Sequence, residues 1–132
     1  MDELKRERER KKEIINQIRK IRDMRRGSVT AQYYEVKHKD GSMVRQGPYF
    51  LYSYKDKGKT ISRRLSYPGE AERCREEIEE FRRFEQLSSQ LIDVSRRICD
   101  LKAQAEAATD EERQEKKFQR RSKRRSSVRS RD

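Results

Sequence analysis

Histidine occurs once in this sequence, cysteine twice and tryptophan not at all, and these scarcities remove most catalytic chemistry at the outset. A zinc centre needs three or four His, Cys or acidic ligands, and an acid–base histidine needs a polar partner beside it. His38 lies in a turn-like stretch with no cysteine near it, and reads as a solvated strand-end residue. Cys74 and Cys99 fall on one predicted helix, where roughly 25 residues at about 1.5 Å each hold them ~37 Å apart, far beyond disulfide reach. Both are expected to be reduced, buried small hydrophobes. Gly58-Lys59-Thr60 imitates the end of a phosphate-binding loop, but position 53, where the earlier glycine belongs, is Ser. No run approaches the roughly 20 apolar residues that span a bilayer, and Met1-Asp2-Glu3-Leu4-Lys5-Arg6 has no apolar leader core. The expectation is a cytoplasmic protein that is not an enzyme, with no cofactor, metal, membrane or small-molecule partner.

What the sequence has instead is charge. Of 132 residues 45% are charged and 30% hydrophobic, too few apolar side chains to fill one globule of that size. The net charge of +12 is gathered rather than spread: residues 25–66 carry ten Lys/Arg against three Asp/Glu, and residues 108–132 carry ten against five, whereas 67–107 are net acidic. A gathered excess of cations points to polyanionic partners.

Aromatic and strand-forming residues concentrate in one place, Gly47-Pro48-Tyr49-Phe50-Leu51-Tyr52-Ser53-Tyr54. This run predicts the middle of a small sheet, because such side chains suit a pleated, half-buried surface. Ala31–His38 reads as the preceding strand, with Asp40-Gly41 as its hairpin turn, and Thr60–Leu65 as the following one. Gly47-Pro48 marks a bulge or an edge, since proline cannot donate to a ladder. A second turn through Lys57-Gly58 would gather Phe50, Tyr52 and Tyr54 on one face with Ile61, Arg63 and Leu65, leaving Tyr49, Ser62 and Arg64 on the other; a one-residue bulge would put Tyr49 and Leu51 there instead. The first arrangement, which collects the larger apolar set, is the expected one.

Helices flank the sheet. Residues 2–25 carry Ile14, Ile15, Ile18 and Ile21 on one face, with Gly27 as the expected stop. Residues 1–13 are expected to project as a solvated charged extension. From Pro68 onward, apolar or small residues at 71, 74, 78, 81, 84, 87, 91, 94, 98, 101 and 105 follow spacings of three and four, a seam of about 35 residues. Glu76, Glu77, Glu79 and Glu80 read as a solvated face paired with neighbouring arginines. The distal part of the seam, Leu91, Val94, Ile98 and Leu101, outruns what a small sheet can cover, which predicts either packing on the first helix or a homodimer. Thr109-Asp110-Glu111-Glu112 resembles a fresh helix start, and the biased segment after it is expected to be disordered.

The sequence thus predicts an α+β protein: an N-terminal helix, a three-stranded antiparallel sheet and a long amphipathic C-terminal helix over 14–107, with a basic disordered tail over 108–132. The candidate nucleic-acid contacts on the sheet are Lys37, Lys39, Arg45, Lys55, Lys57, Lys59, Arg63 and Arg64. Those on the tail are Lys116, Lys117, Arg120, Arg121, Lys123, Arg124 and Arg125. Long cationic side chains reach phosphates, and an Arg can read a guanine edge.

The order Arg26-Gly27-Ser28, Gly47-Pro48-Tyr49, Gly58-Lys59-Thr60 and Ile78-Glu79-Glu80-Phe81 resembles a short uncharacterised prokaryotic domain family whose members occur alone or beside mobile-element genes. It is more distantly similar to the three-stranded arm-site DNA-binding modules of tyrosine recombinases. Many members of the former carry a cysteine knuckle where this chain has His38-Lys39-Asp40-Gly41-Ser42, so no metal role carries over. The resemblance implies a DNA-binding accessory or regulator of a mobile element. A coiled-coil assembly protein and a tail-led RNA binder are the alternatives.

Overall fold

A computed structural model describes the backbone of residues 2–129 and the side chains of residues 2–125. The elements run α1 (Asp2–Arg19), β1 (Ser28–Lys37), β2 (Met43–Asp56), β3 (Lys59–Arg64) and α2 (Pro68–Arg129). This is the expected α+β order. Residues 15–89 form one compact unit, and the segments up to Ile14 and from Gln90 onward form a second, where the sequence predicts a single domain over 14–107.

In the 15–89 unit, α1 ends earlier than expected. Lys20 and Ile21 close tight turns on the Gln17 and Ile18 carbonyls. Beyond them the backbone turns to α2 for its partners. The Arg22 N–H donates to the Glu80 carboxylate at 2.9 Å, and the Arg25 N–H to the Glu77 carbonyl at 3.1 Å. Glu77 also receives the Arg25 guanidinium at 3.3 Å. Glu77 and Glu80, expected to be only solvated face, are therefore what holds the linker. Gly27 is no helix cap. Its φ of +131° and the closeness of the Ser53 carbonyl and the Tyr52 ring leave no room for a Cβ, so it lets the chain close onto β2.

The sheet is antiparallel in the order β1-β2-β3. The β2–β3 turn has positive φ at both Lys57 and Gly58, the pattern of a type I′ hairpin whose twist matches its strands. The resulting register sets Tyr52 opposite Arg63 and Tyr54 opposite Ile61, as the sequence predicts. Gly47-Pro48 is a bulge: Gln32 pairs with Tyr49 and Tyr34 with Gln46, so two residues of β2 face Tyr33 alone. Proline is tolerated on this central strand because β3 pairs only with Leu51–Asp56, leaving β2 a single neighbour at Pro48.

The core of this unit is Tyr52, Leu65, Ala71, Cys74 and Ile78, with Val29, Phe50 and Tyr54 packed against it. Burying each large apolar side chain contributes about 1.5–3 kcal/mol. Tyr52 also donates its hydroxyl to the Arg26 carbonyl, joining linker to sheet.

Helix α2 spans 62 residues. The disordered tail expected from 108 is helical through Arg129, and residues 130–132 lie outside the described residues. No glycine or proline follows Gly69 to break it. Thr109 starts no new helix; its hydroxyl donates back to the Ala105 carbonyl at 2.9 Å.

In the second unit, Ile14, Val94 and Ile98 are buried, and Leu4, Leu91 and Leu101 are partly buried. Arg97 donates to Glu7 at 3.4 Å. Residues 2–13 are thus not a merely solvated extension. The seam Leu91, Val94, Ile98 and Leu101, offered above as a partner interface, is taken up within one chain, which removes the area argument for a homodimer.

Candidate nucleic-acid interface

The alternation of side chains, shifted once by the bulge, gives the sheet two unlike faces. Toward α2 point Phe50, Tyr52 and Tyr54, with Arg63 and Leu65. On the far face the bulge lets Gln46 and Tyr49, three residues apart, stand side by side with Gln32 and Tyr34. The Tyr34 and Tyr49 rings are 5.5 Å apart, and the Tyr34 hydroxyl donates to the Gln32 side-chain oxygen at 2.9 Å. Arg64 lies over the Tyr49 ring at 4.0 Å, a cation–π contact that keeps the guanidinium on this face of the sheet. Ser53 and Ser62 share a hydrogen bond of 2.9 Å beside them.

Where the far face meets the start of α2 there is an open groove of about 450 Å³, lined by Pro48, Tyr49, Arg64, Ser66, Tyr67 and Pro68 among others. Tyr67 is half exposed, its ring lies against Gly69, and its hydroxyl accepts a hydrogen bond from Arg73 at 3.1 Å.

The predicted cations divide. Arg63 is withdrawn from the contact surface: it stands on the α2 side and donates to Glu70 at 2.8 Å. Glu70 also accepts the Ser66 N–H at 2.9 Å, and these bonds hold its carboxyl below the usual carboxylate range. Arg45 is stacked on Tyr33 at 3.9 Å, across the sheet from Arg64. Lys37 and Lys39 stand at the β1–β2 tip, and Lys55, Lys57 and Lys59 at the β2–β3 tip. At the first tip, Asp40 accepts from the Ser42 hydroxyl at 2.6 Å and from its N–H at 3.0 Å, which lowers the Asp40 pKa. His38 only closes that turn, its N–H donating to the Ser42 carbonyl.

On α2, helical continuity arranges what the sequence reading leaves unstructured. At about 100° per residue, Arg113, Lys116, Lys117, Arg120, Arg121, Lys123 and Arg124 fall within an arc of ~160°, with Glu111, Glu115, Phe118 and Ser122 opposite. Arg125 lies outside the arc. The periodicity was present in the sequence, but it has meaning only for a helix.

Among the described residues no group of three His, Cys, Asp or Glu could hold a metal ion. Cys74 is buried, whereas Cys99 is exposed, contrary to expectation. No helix there is long and apolar enough to cross a membrane. No family model matches this chain, and neither a curated protein nor a solved structure matches it.

Proposed function

We propose that this protein binds nucleic acid, DNA in preference, without catalysing a reaction on it, and serves in the cytoplasm as an accessory or regulator of a mobile element. One observation carries the binding reading. Of the candidate cations on sheet and helix, Arg63 alone enters an ion pair among the described residues, and the others are exposed. Exposed, unpaired cations at this density release counterions from a phosphate backbone whatever its sequence. The mobile-element role rests on the resemblance of Gly47-Pro48-Tyr49 and Gly58-Lys59-Thr60 to the prokaryotic domain family. The assembly alternative loses support, since the distal seam is already covered within the chain.

The test is a salt titration of binding to duplex DNA, single-stranded DNA and RNA. The reading requires log affinity to fall steeply and linearly with log salt, by about 0.9 per phosphate contacted on duplex DNA. Salt-independent or absent binding to all three polymers would return the charge to a role in hydration alone.

A further inference from the structure

The far sheet face has a feature that phosphate binding does not need: a groove lined by aromatic rings and a guanidinium. We propose that the groove between Tyr49, Arg64 and Tyr67 takes an unpaired base of a single-stranded nucleic acid, so that the sheet distinguishes single strands from duplex. This rests on the nucleic-acid reading above and assigns the strand form that the sheet recognises.

Four observations bear on it. The groove, at about 450 Å³, falls within the span of small-ligand sites, about 300–1,000 Å³. Two of its walls are planar groups of the kind on which bases stack. Arg64 is exposed with its guanidinium carbon 4.0 Å from the Tyr49 ring centre, and a cation–aromatic pair of this kind is a surface on which bases stack. Tyr67 is half exposed at 51%, and its hydroxyl is tethered by Arg73. An exposed ring fixed at its hydroxyl is already oriented, so stacking on it costs little ordering entropy.

Charge and polarity agree with that occupant. Arg64 in the lining supplies positive charge to the groove and Arg73 bonds the hydroxyl of Tyr67, while Glu70, the nearby carboxylate, is paired with Arg63. Ser66 in the lining and the Gln32 and Gln46 amides on the same face offer hydrogen bonds to base edges. A paired base presents none of its flat surface, so a duplex can reach the cations but not the groove.

The experiment compares the full-length protein with Tyr67→Ala and Tyr67→Phe. Fluorescence anisotropy measures binding to a labelled oligothymidylate and to a duplex of equal length at one salt concentration. Tyr67→Ala is expected to weaken single-strand binding about tenfold, as loss of one stacked base does, while duplex affinity stays within about twofold. Tyr67→Phe, which keeps the ring but loses the Arg73 bond, is expected to fall between wild type and Tyr67→Ala on the single strand. Photocrosslinking with iodouridine-substituted oligonucleotide should label Tyr67 or Tyr49. If both nucleic acids bind wild type with steep salt dependence but Tyr67→Ala changes neither, the groove is not a base site and the charge reading stands. An equal loss on both strand forms also overturns it, and absence of all binding sinks both readings together.

Discussion

The guanidinium of Arg64 lies 4.0 Å from the centre of the Tyr49 ring, on the sheet face turned away from α2, while its neighbour Arg63 is bonded to Glu70 on the other side. Adjacent arginines with opposite surroundings should separate binding from stability. Arg64→Ala is expected to weaken nucleic-acid binding and reduce the salt slope by about one. Arg63→Ala should leave that slope unchanged and lower the melting temperature. A loss of slope from Arg63→Ala would return that residue to the interface.

Acid should loosen the junction between β3 and α2. The folded-state pKa of Glu70 is depressed, first by the Ser66 N–H and then by Arg63. A depressed carboxyl pKa stabilises the fold above its ordinary value near 4.5 and loses that contribution as pH falls through the lower folded value. Denaturant unfolding followed by circular dichroism should show a decline in stability below pH 4.5 that is shallower in Glu70→Gln. Asp40 contributes in the same direction, beginning near 3.8. Tyr52 works at the other extreme. Its pKa is raised, chiefly by burial, so stability should fall as pH rises above 10, and less so in Tyr52→Phe.

The basic arc of α2 makes its own prediction. Replacing Lys117, Arg120 and Arg124 with alanine should flatten the salt dependence on every sequence tested, by up to about three slope units, whereas Arg125→Ala alone should do less than any one of them. Equal effects from all positions would mean that the segment binds as an unstructured polycation. Deleting 113–132 should weaken binding to all sequences.

The cores of the two units should respond separately. Ile78→Ala removes a buried side chain of the sheet unit and is expected to cost about 2–5 kcal/mol in denaturant unfolding. Ile98→Lys places a charge at a position 8% exposed in the other unit. It should melt helix content there without changing the molecular mass in sedimentation, because closure of the seam within one chain leaves wild type a monomer at about tens of micromolar. A wild-type dimer that Ile98→Lys dissociates would restore the intermolecular seam.

The hairpin was largely legible in the sequence. The aromatic run, Asp40-Gly41 and Lys57-Gly58 each constrain the backbone locally, but two registers fit them, and it is the tight turn with positive φ at Lys57 and Gly58 that puts Phe50, Tyr52 and Tyr54 with Arg63 and Leu65. Less legible was anything in which a local signal had a distant cause. Gly27 carries the mark of a helix stop, but the Ser53 carbonyl and the Tyr52 ring demand it. Thr109 has the pattern of a cap, yet an uninterrupted helix on both sides outweighs it. Arg63 and Arg64 look alike until Glu70 is placed, and the groove at Tyr67 joins residues nearly twenty positions apart.

Glycine should matter at one end of the hairpin far more than at the other. Both Gly41 and Gly47 have positive φ, so alanine is strained at either, at a cost of about 1 kcal/mol. At Gly47 the added Cβ would also sit 2.7 Å from the Gln32 carbonyl oxygen, whereas nothing lies within 4 Å at Gly41. Gly47→Ala should therefore be clearly the more destabilising in thermal melts.

Strand β2 uses the eleven residues Met43–Ser53 against the ten of β1, and the excess is parked at Gly47-Pro48. The bulge is a phase corrector. Removing Pro48 would leave Gln46 and Tyr49 on their present side in an ordinary alternation, whereas removing a residue from Met43–Gln46 would exchange the sides of whatever lies between it and the tip. Change in chain length can thus be absorbed at that one point without recasting which chemistry the sheet shows outward, and at its neighbours it cannot.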